Sequence, residues 1–167
     1  CALPILFTAP ASPPAQASTP PLTSDAPAAI ARTTSATARE RYERGVDLAK
    51  NDGLEAAIAD FSEAIRLDPK FTDAYVQRGQ AMFKNGNVER AVTDFTQALH
   101  VDPRNVAAFK ARGMAMLYKG DDDSAIIDLT KAIQYAEIDP TSIPPVEVFY
   151  ARRSRATLYD RKQLYDR

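Results

Sequence analysis

The 167-residue sequence predicts an all-α protein built from repeated pairs of helices. Residues 52–69, DGLEAAIADFSEAIRLDP, recur thirty-four residues later as GNVERAVTDFTQALHVDP, and a third copy, GDDDSAIIDLTKAIQYA, begins at Gly120. Each copy contains two amphipathic patterns of helical spacing with a glycine break between them. The sequence therefore predicts three consecutive repeats of one helix-turn-helix unit.

The residues that keep their place in all three copies are small, acidic or large and apolar, so a chance match is excluded. They are Ala57, Ala91 and Ala125, then Asp60, Asp94 and Asp128, then Phe61, Phe95 and Leu129.

The residues before the first unit differ in composition from the rest of the chain. Residues 1–37 hold seven of the twelve prolines and only two charged residues, Asp25 and Arg32. We expect this segment to be a disordered linker, because it lacks the apolar residues needed to bury a core.

The first seventeen residues allow three interpretations. Residues 1–17 resemble the end of a signal peptide, with Ala2 to Ala9 in its apolar stretch and Ala15-Gln16-Ala17 as its cleavage site. This interpretation predicts a periplasmic or secreted protein, and the alternative is a cytoplasmic one. Cys1 could instead carry the lipid of a lipoprotein. Residues 1–5, CALPI, also equal the translation of a common sequencing adapter and would then be a sequencing scar.

Within each unit the glycines occupy two places. Gly45, Gly79 and Gly113 lie inside the first helix, and Gly53, Gly86 and Gly120 lie in the turn. A glycine inside a helix costs up to about 1 kcal/mol relative to alanine, so its recurrence indicates a close approach of two helices. We expect Ala57, Ala91 and Ala125 of the second helices to face the three interior glycines.

The helix pairs end at proline. In the second unit the pattern of Val88 to Leu99 stops at Asp102-Pro103, because proline disfavours helix at the preceding residue. After Ala132 the repeat loses its phase, and Ile138 to Val146 predicts an inserted loop. A partial fourth unit, 149–167, then begins near Phe149, since Arg155 to Tyr159 aligns with Arg78 to Met82. Its last residues predict either a truncated second helix or a helix that caps the stack.

These units resemble the tetratricopeptide repeat, whose thirty-four-residue units carry small residues, aromatics and a closing proline in this order. The resemblance covers Ala38 to Asp139 in three units, 38–71, 72–105 and 106–139. It implies a solenoid of antiparallel helices, coiled into a right-handed superhelix, whose first helices line a concave groove. A single tetratricopeptide repeat domain, residues 38–167, would then follow the linker.

Composition argues against most site chemistry. The 21 basic and 22 acidic residues are interspersed, so no basic face predicts nucleic-acid binding. With one cysteine and one histidine, a zinc site or a cysteine–histidine catalytic pair is not expected. Asp121, Asp122 and Asp123 are interpreted as the start of a helix, where carboxylates are favourable, rather than as a metal site. We expect no catalytic residues, no metal, no cofactor and no small-molecule substrate.

Each unit also has an arginine just before its interior glycine, at Arg44, Arg78 and Arg112, where the family more often has leucine. We predict that these arginines form structural ion pairs with Asp60, Asp94 and Asp128, either between the two helices of a unit or between neighbouring units. The functional alternative is a row of arginines that binds an acidic ligand.

The first helices carry a mostly apolar strip away from the glycine contact. It predicts a partner-binding groove in which Gln80 and Lys110 set the register of a peptide or an amphipathic helix. The alternative is that several of these residues pack between units. The predicted binding residues are Tyr42, Val46, Val76, Gln80, Phe83, Lys110, Met114 and Leu117.

Family members that hold chaperone carboxyl termini use lysine, asparagine and arginine on these helices. This chain has Tyr42, Val46, Gln77, Ala107 and Ala111 instead, so that carboxylate clamp is not expected.

The sequence therefore predicts a non-catalytic scaffold or adaptor that binds a protein or peptide partner. One alternative is the targeting arm of a larger enzyme, and another is a module that self-assembles into a homo-oligomer through its open fourth unit.

Overall fold

The computed structural model describes residues 26–165, and this part of the chain forms seven α-helices joined by short turns. The helices are α1 Ala26–Lys50, α2 Leu54–Leu67, α3 Thr72–Lys84, α4 Val88–Val101, α5 Val106–Lys119, α6 Asp122–Ile138 and α7 Pro145–Tyr165. Helices α1 and α2, α3 and α4, and α5 and α6 are the three predicted pairs. Each helix contacts the next, and α3 also contacts α1 and α5, so the pairs stack in sequence order. The predicted all-α repeat fold is confirmed.

The pairs end as the Asp-Pro sequences predict. Asp68, Asp102 and Asp139 follow the second helices with extended backbone angles. Each aspartate side chain accepts a hydrogen bond from the backbone amide two residues later, at 3.0 to 3.1 Å. The aspartate thus stabilises the turn, and the proline after it cannot continue the helix.

The turn between the helices of a pair requires one left-handed residue. Gly86 and Gly120 fill this position with φ of 80°. In the first unit the position belongs to Asp52, with φ of 58°, whereas Gly53 has φ of −79°. The expected equivalence of Gly53 with the other turn glycines is therefore wrong by one residue. Aspartate is one of the few other residues that adopt this conformation readily.

The interior glycines lie under a large side chain of the second helix. A Cβ atom built on Gly79 would lie 2.6 Å from Cε1 of Phe95, and one on Gly45 would lie 2.7 Å from Cε1 of Phe61. At Gly113 the nearest atom is Cγ of Leu129, at 3.0 Å. The expectation that alanines face these glycines is corrected, because the closest atoms belong to residues one helical turn later.

This difference between the units predicts different effects on stability for a glycine-to-alanine substitution. Gly79→Ala should destabilise the protein by about 1–3 kcal/mol, because the ring of Phe95 cannot yield without disturbing the core. Gly113→Ala should be nearly neutral, because the smaller Leu129 can shift and alanine favours the helix. Urea unfolding followed by circular dichroism measures both variants. Equal free energies of unfolding for the two would contradict this account.

The hydrophobic core is distributed between neighbouring pairs. Phe61 packs with Ala57 and with Ala81 of the next pair, and Phe95 packs with Ala91, Ala111 and Ala115. Leu129 has the same place between α6 and α7, with Ala125, Ala151 and Leu158. One large side chain per unit therefore packs both inside its own pair and against the following helix.

Helix α1 begins twelve residues before the predicted boundary, so residues 26–37 are helical and not part of a linker. The segment is rich in alanine, the residue with the highest helix propensity, and Pro27 lies in the first turn, where its missing amide needs no partner. The remainder of the predicted disordered segment, residues 1–25, lies outside the described residues.

Helix α7 begins at Pro145, four residues before the predicted start of the fourth unit. The loop between α6 and α7 is therefore shorter than the predicted loop of Ile138 to Val146. Helix α6 continues to Ile138, and α7 can begin at Pro145 because proline is accepted in a first helical turn. Helix α7 also continues to Tyr165, where the alignment predicted entry into a second helix.

Among the described helices, none combines the length and the apolar character needed to cross a lipid bilayer.

Candidate functional site

The three repeated arginines lie against the three repeated aspartates of the same helix pair. Arg78 donates hydrogen bonds from Nε and Nη2 to the two carboxylate oxygens of Asp94, both at 2.7 Å. Arg112 binds Asp128 in the same way, at 2.7 and 2.9 Å. Arg44 also donates two hydrogen bonds to Asp60. Each pair joins the first helix of a unit to its second helix through a planar two-point contact.

The arginines also join neighbouring units. Nη1 of Arg78 donates to the hydroxyl of Ser62 at 3.1 Å, and Nη1 of Arg112 donates to the hydroxyl of Thr96 at 3.2 Å. On α7, Nη1 of Arg155 lies 3.4 Å from the hydroxyl of Thr130. The three hydroxyl residues are thirty-four apart in the sequence, a signal that the sequence analysis missed.

These contacts identify a structural role for the arginines. The hydrogen bonds of Arg44 hold the pKa of Asp60 below its usual value, and those of Asp94 raise the pKa of Arg78. The Arg78 side chain is 19% exposed, against 59% for Arg44. A guanidinium whose donors already bind a carboxylate and a hydroxyl has little capacity left for a ligand.

The first helices lie side by side, because α3 contacts both α1 and α5. Their shared face contains a cleft of about 270 Å³ between α3 and α5, which we call the central cleft. It is lined by Gln80, Phe83, Lys84, Phe95, Lys110, Ala111, Met114 and Glu147. Four predicted binding residues, Gln80, Phe83, Lys110 and Met114, are therefore brought together in one place.

The central cleft is mainly apolar with polar ends. Met114 is 38% exposed, and Phe83 is partly buried against Tyr118, with the two rings 5.5 Å apart in an edge-to-face contact. Lys110 donates a hydrogen bond from Nζ to Oε2 of Glu147 on α7, so its charge is already compensated. Sequence reasoning missed Glu147 because it lies in the first turn of a helix whose start was predicted four residues later.

The other predicted binding residues have different positions. Val76 is 3% exposed and packs with Ala98 and Ala108, so the prediction that it binds a partner is wrong. Val76 faces the next unit. The strip predicted from the sequence therefore included one residue of the interface between units.

Tyr42 and Val46 pack against the core of the first unit and are partly buried. The ring of Tyr42 lies 4.9 Å from that of Phe71, and burial raises the pKa of its hydroxyl. Both residues therefore contribute to packing, as the alternative interpretation proposed.

A second cleft, of about 260 Å³, continues the same face between α5 and α7. We call it the basic cleft, because its lining among the described residues includes two arginines and no carboxylate. The lining residues are Leu117, Tyr150, Arg153, Ser154, Thr157, Leu158 and Arg161. Leu117 is the one predicted binding residue found here. The α7 residues of this cleft could have been predicted from the alignment of Arg155 with Arg78. That alignment places Arg153 and Thr157 at the positions of Val76 and Gln80, which were predicted to bind the partner.

The three consecutive aspartates stabilise the start of α6 and its contact with α7. The Asp121 side chain accepts a hydrogen bond from the amide of Ser124 at 3.1 Å. Hydrogen bonding with the Ser124 side chain, and then with its amide, lowers the pKa of Asp121. Asp122 pairs with Arg161 and Asp123 with Lys162. Within residues 26–165, no group of three or more histidine, cysteine, aspartate or glutamate side chains is arranged to hold a metal ion.

Two family models match the sequence. A model described as TPR repeat matches residues 49–86, and one described as tetratricopeptide repeat matches residues 76–143. No curated protein matches the sequence significantly. The chain belongs to the tetratricopeptide repeat family.

Solved structures of this family share the fold. The first TPR of Spaghetti (RPAP3) bound to the HSP90 peptide SRMEEVD is 19% identical, with a TM-score of 0.68 over 77% of this chain and 95% of that chain. PcrH in complex with the chaperone binding region of PopD is 18% identical, with a TM-score of 0.70 over 74% and 92%. The TPR2B domain of yeast Sti1 in its pHsp70 complex is 20% identical, with a TM-score of 0.68 over 74% and 98%.

Proposed function

We propose that this protein is a non-catalytic scaffold or adaptor whose central cleft binds an extended peptide or an amphipathic helix of a protein partner. The observation that carries the proposal is the convergence of Gln80, Phe83 and Met114 from two first helices in one partly exposed cleft. A shallow apolar surface with polar ends suits side-chain recognition of a peptide. The solved relatives named above include domains in complex with peptides, which supports the same mode of binding.

The rigid frame around the cleft supports a binding role. Ala111 at its base is buried, and the ring of Phe95 beneath it is held between Gly79 and the next unit. Because the arginine–aspartate pairs hold α3 against α4 and α5 against α6, we expect a cleft that is formed before the ligand binds, which reduces the entropic cost of binding.

A randomised dodecapeptide library displayed on phage tests this proposal with the intact chain as bait. We expect enriched peptides with apolar anchors whose binding is weakened about tenfold or more by Phe83→Ala, since such anchors dominate binding energies. The matched control is Ile127→Ala, because Ile127 is an exposed apolar residue on α6 that lines neither cleft. Failure to enrich any peptide, or equal losses in both variants, would contradict the proposal.

A further inference from the structure

We propose that the basic cleft binds an acidic side chain of the same partner, so that the groove recognises an apolar segment followed by a glutamate or aspartate. This inference rests on the proposed function, because it assigns the chemistry of the partner at one end of the groove. It follows from the charges that line the two clefts.

The two clefts differ in how their cations are compensated. In the central cleft Lys110 is paired with Glu147. In the basic cleft the guanidinium of the exposed Arg153 has no ion-pair or hydrogen-bond partner within residues 26–165, and no carboxylate of these residues lines the cavity. A positive charge beside an apolar surface, with no internal partner, favours a ligand that brings the negative charge.

Arg161 is the second arginine that lines the same cleft. Its Nη2 donates to Asp122, while its Nε is buried and has no hydrogen-bond partner within the described part of the chain. The Arg161 side chain as a whole is 41% exposed, so its guanidinium adds a second, partly compensated positive charge to the cleft beside Arg153. The hydroxyl of Thr157 and the ring of Tyr150 complete a pocket with both polar and apolar walls.

The position of the basic cleft connects it with the proposed binding surface. Met114 lines the central cleft, and Leu117, one turn later on α5, lines the basic cleft. Residues three apart on a helix lie on one face, so a single segment can contact both clefts. A carboxylate side chain of that segment accepts hydrogen bonds and carries charge, which matches two guanidinium groups.

Nuclear magnetic resonance of the intact 15N-labelled chain tests the basic cleft directly. The probe is N-acetyl-glutamate N-methylamide, and its neutral control is the corresponding glutamine compound. We expect saturable shifts of the Nε–Hε signals of Arg153 and Arg161 with the glutamate compound only, weakening as salt is added.

The variant Arg153→Gln should weaken glutamate binding about fivefold, a typical effect for one partly exposed charge pair. Arg152→Gln is the matched control, because Arg152 is exposed on the same helix and pairs with Glu137 outside the cleft. Equal responses to the two compounds, or equal losses in the two variants, would overturn the inference. A response to inorganic phosphate without one to the glutamate compound would also overturn it.

The two experiments separate the two proposals. The displayed library reports on the groove as a whole, and the titration reports on the basic cleft alone. Enrichment of neutral peptides together with no response to the glutamate compound would refute the basic cleft and leave the proposed function standing.

Discussion

Phe95→Ala is expected to lower the free energy of unfolding by about 3–5 kcal/mol, the usual cost of removing a fully buried phenylalanine. Phe95 is 1% exposed and packs with Ala91, Ala111 and Ala115, while its ring also covers Gly79. The alanine and glycine neighbours have no rotatable side chain that could move into the cavity. Urea unfolding measures the change.

The matched control for this prediction is Phe149→Ala, because Phe149 is 59% exposed on α7. Its removal should change the free energy of unfolding by less than about 0.5 kcal/mol. Hydrogen exchange should show that the loss of protection in Phe95→Ala includes both α4 and α5, since the ring packs between two units. Loss confined to α4 would contradict the shared core.

Asp94→Asn is expected to destabilise the protein by about 1.5–3 kcal/mol, the range for a hydrogen bond to a charged group. The Asp94 side chain is 6% exposed, and its carboxylate receives two hydrogen bonds from Arg78. Replacing it with an amide leaves a mostly buried guanidinium without its counter-charge. The measurement is the free energy of unfolding in urea, completed by a double-mutant cycle with Arg78→Lys.

The control is Glu63→Gln, which removes a carboxylate from another two-point arginine contact, that of Arg66. The Glu63 side chain is 35% exposed and the pair lies within one helix, so we expect almost no change in stability. If Asp94→Asn were as harmless as Glu63→Gln, while Arg78→Ala abolished peptide binding, the arginines would belong to the binding surface and not to the frame.

The repeat made most of the fold predictable. The positions of Asp94 and Phe95 recur in each unit with the same spacing, and the residues at these positions make corresponding contacts inside their own helix pair. The boundaries were less predictable, because α1 and α7 begin with proline-containing segments that look like loops until the first helical turn is seen. The groove was predictable only in part, since Gln80 and Val76 lie on the same helix but face different neighbours.

The sequence by itself determined the number of helices per unit, the residues that end each pair and the arginine–aspartate partners, because these depend on local spacing that repeats. Only the tertiary structure decided which large side chain covers each glycine, that Val76 is core and that Glu147 compensates Lys110. It also brought Arg153 and Arg161 together in one cleft. The physical reason is that these contacts depend on the angle at which neighbouring helices pack, and a linear pattern does not contain that angle.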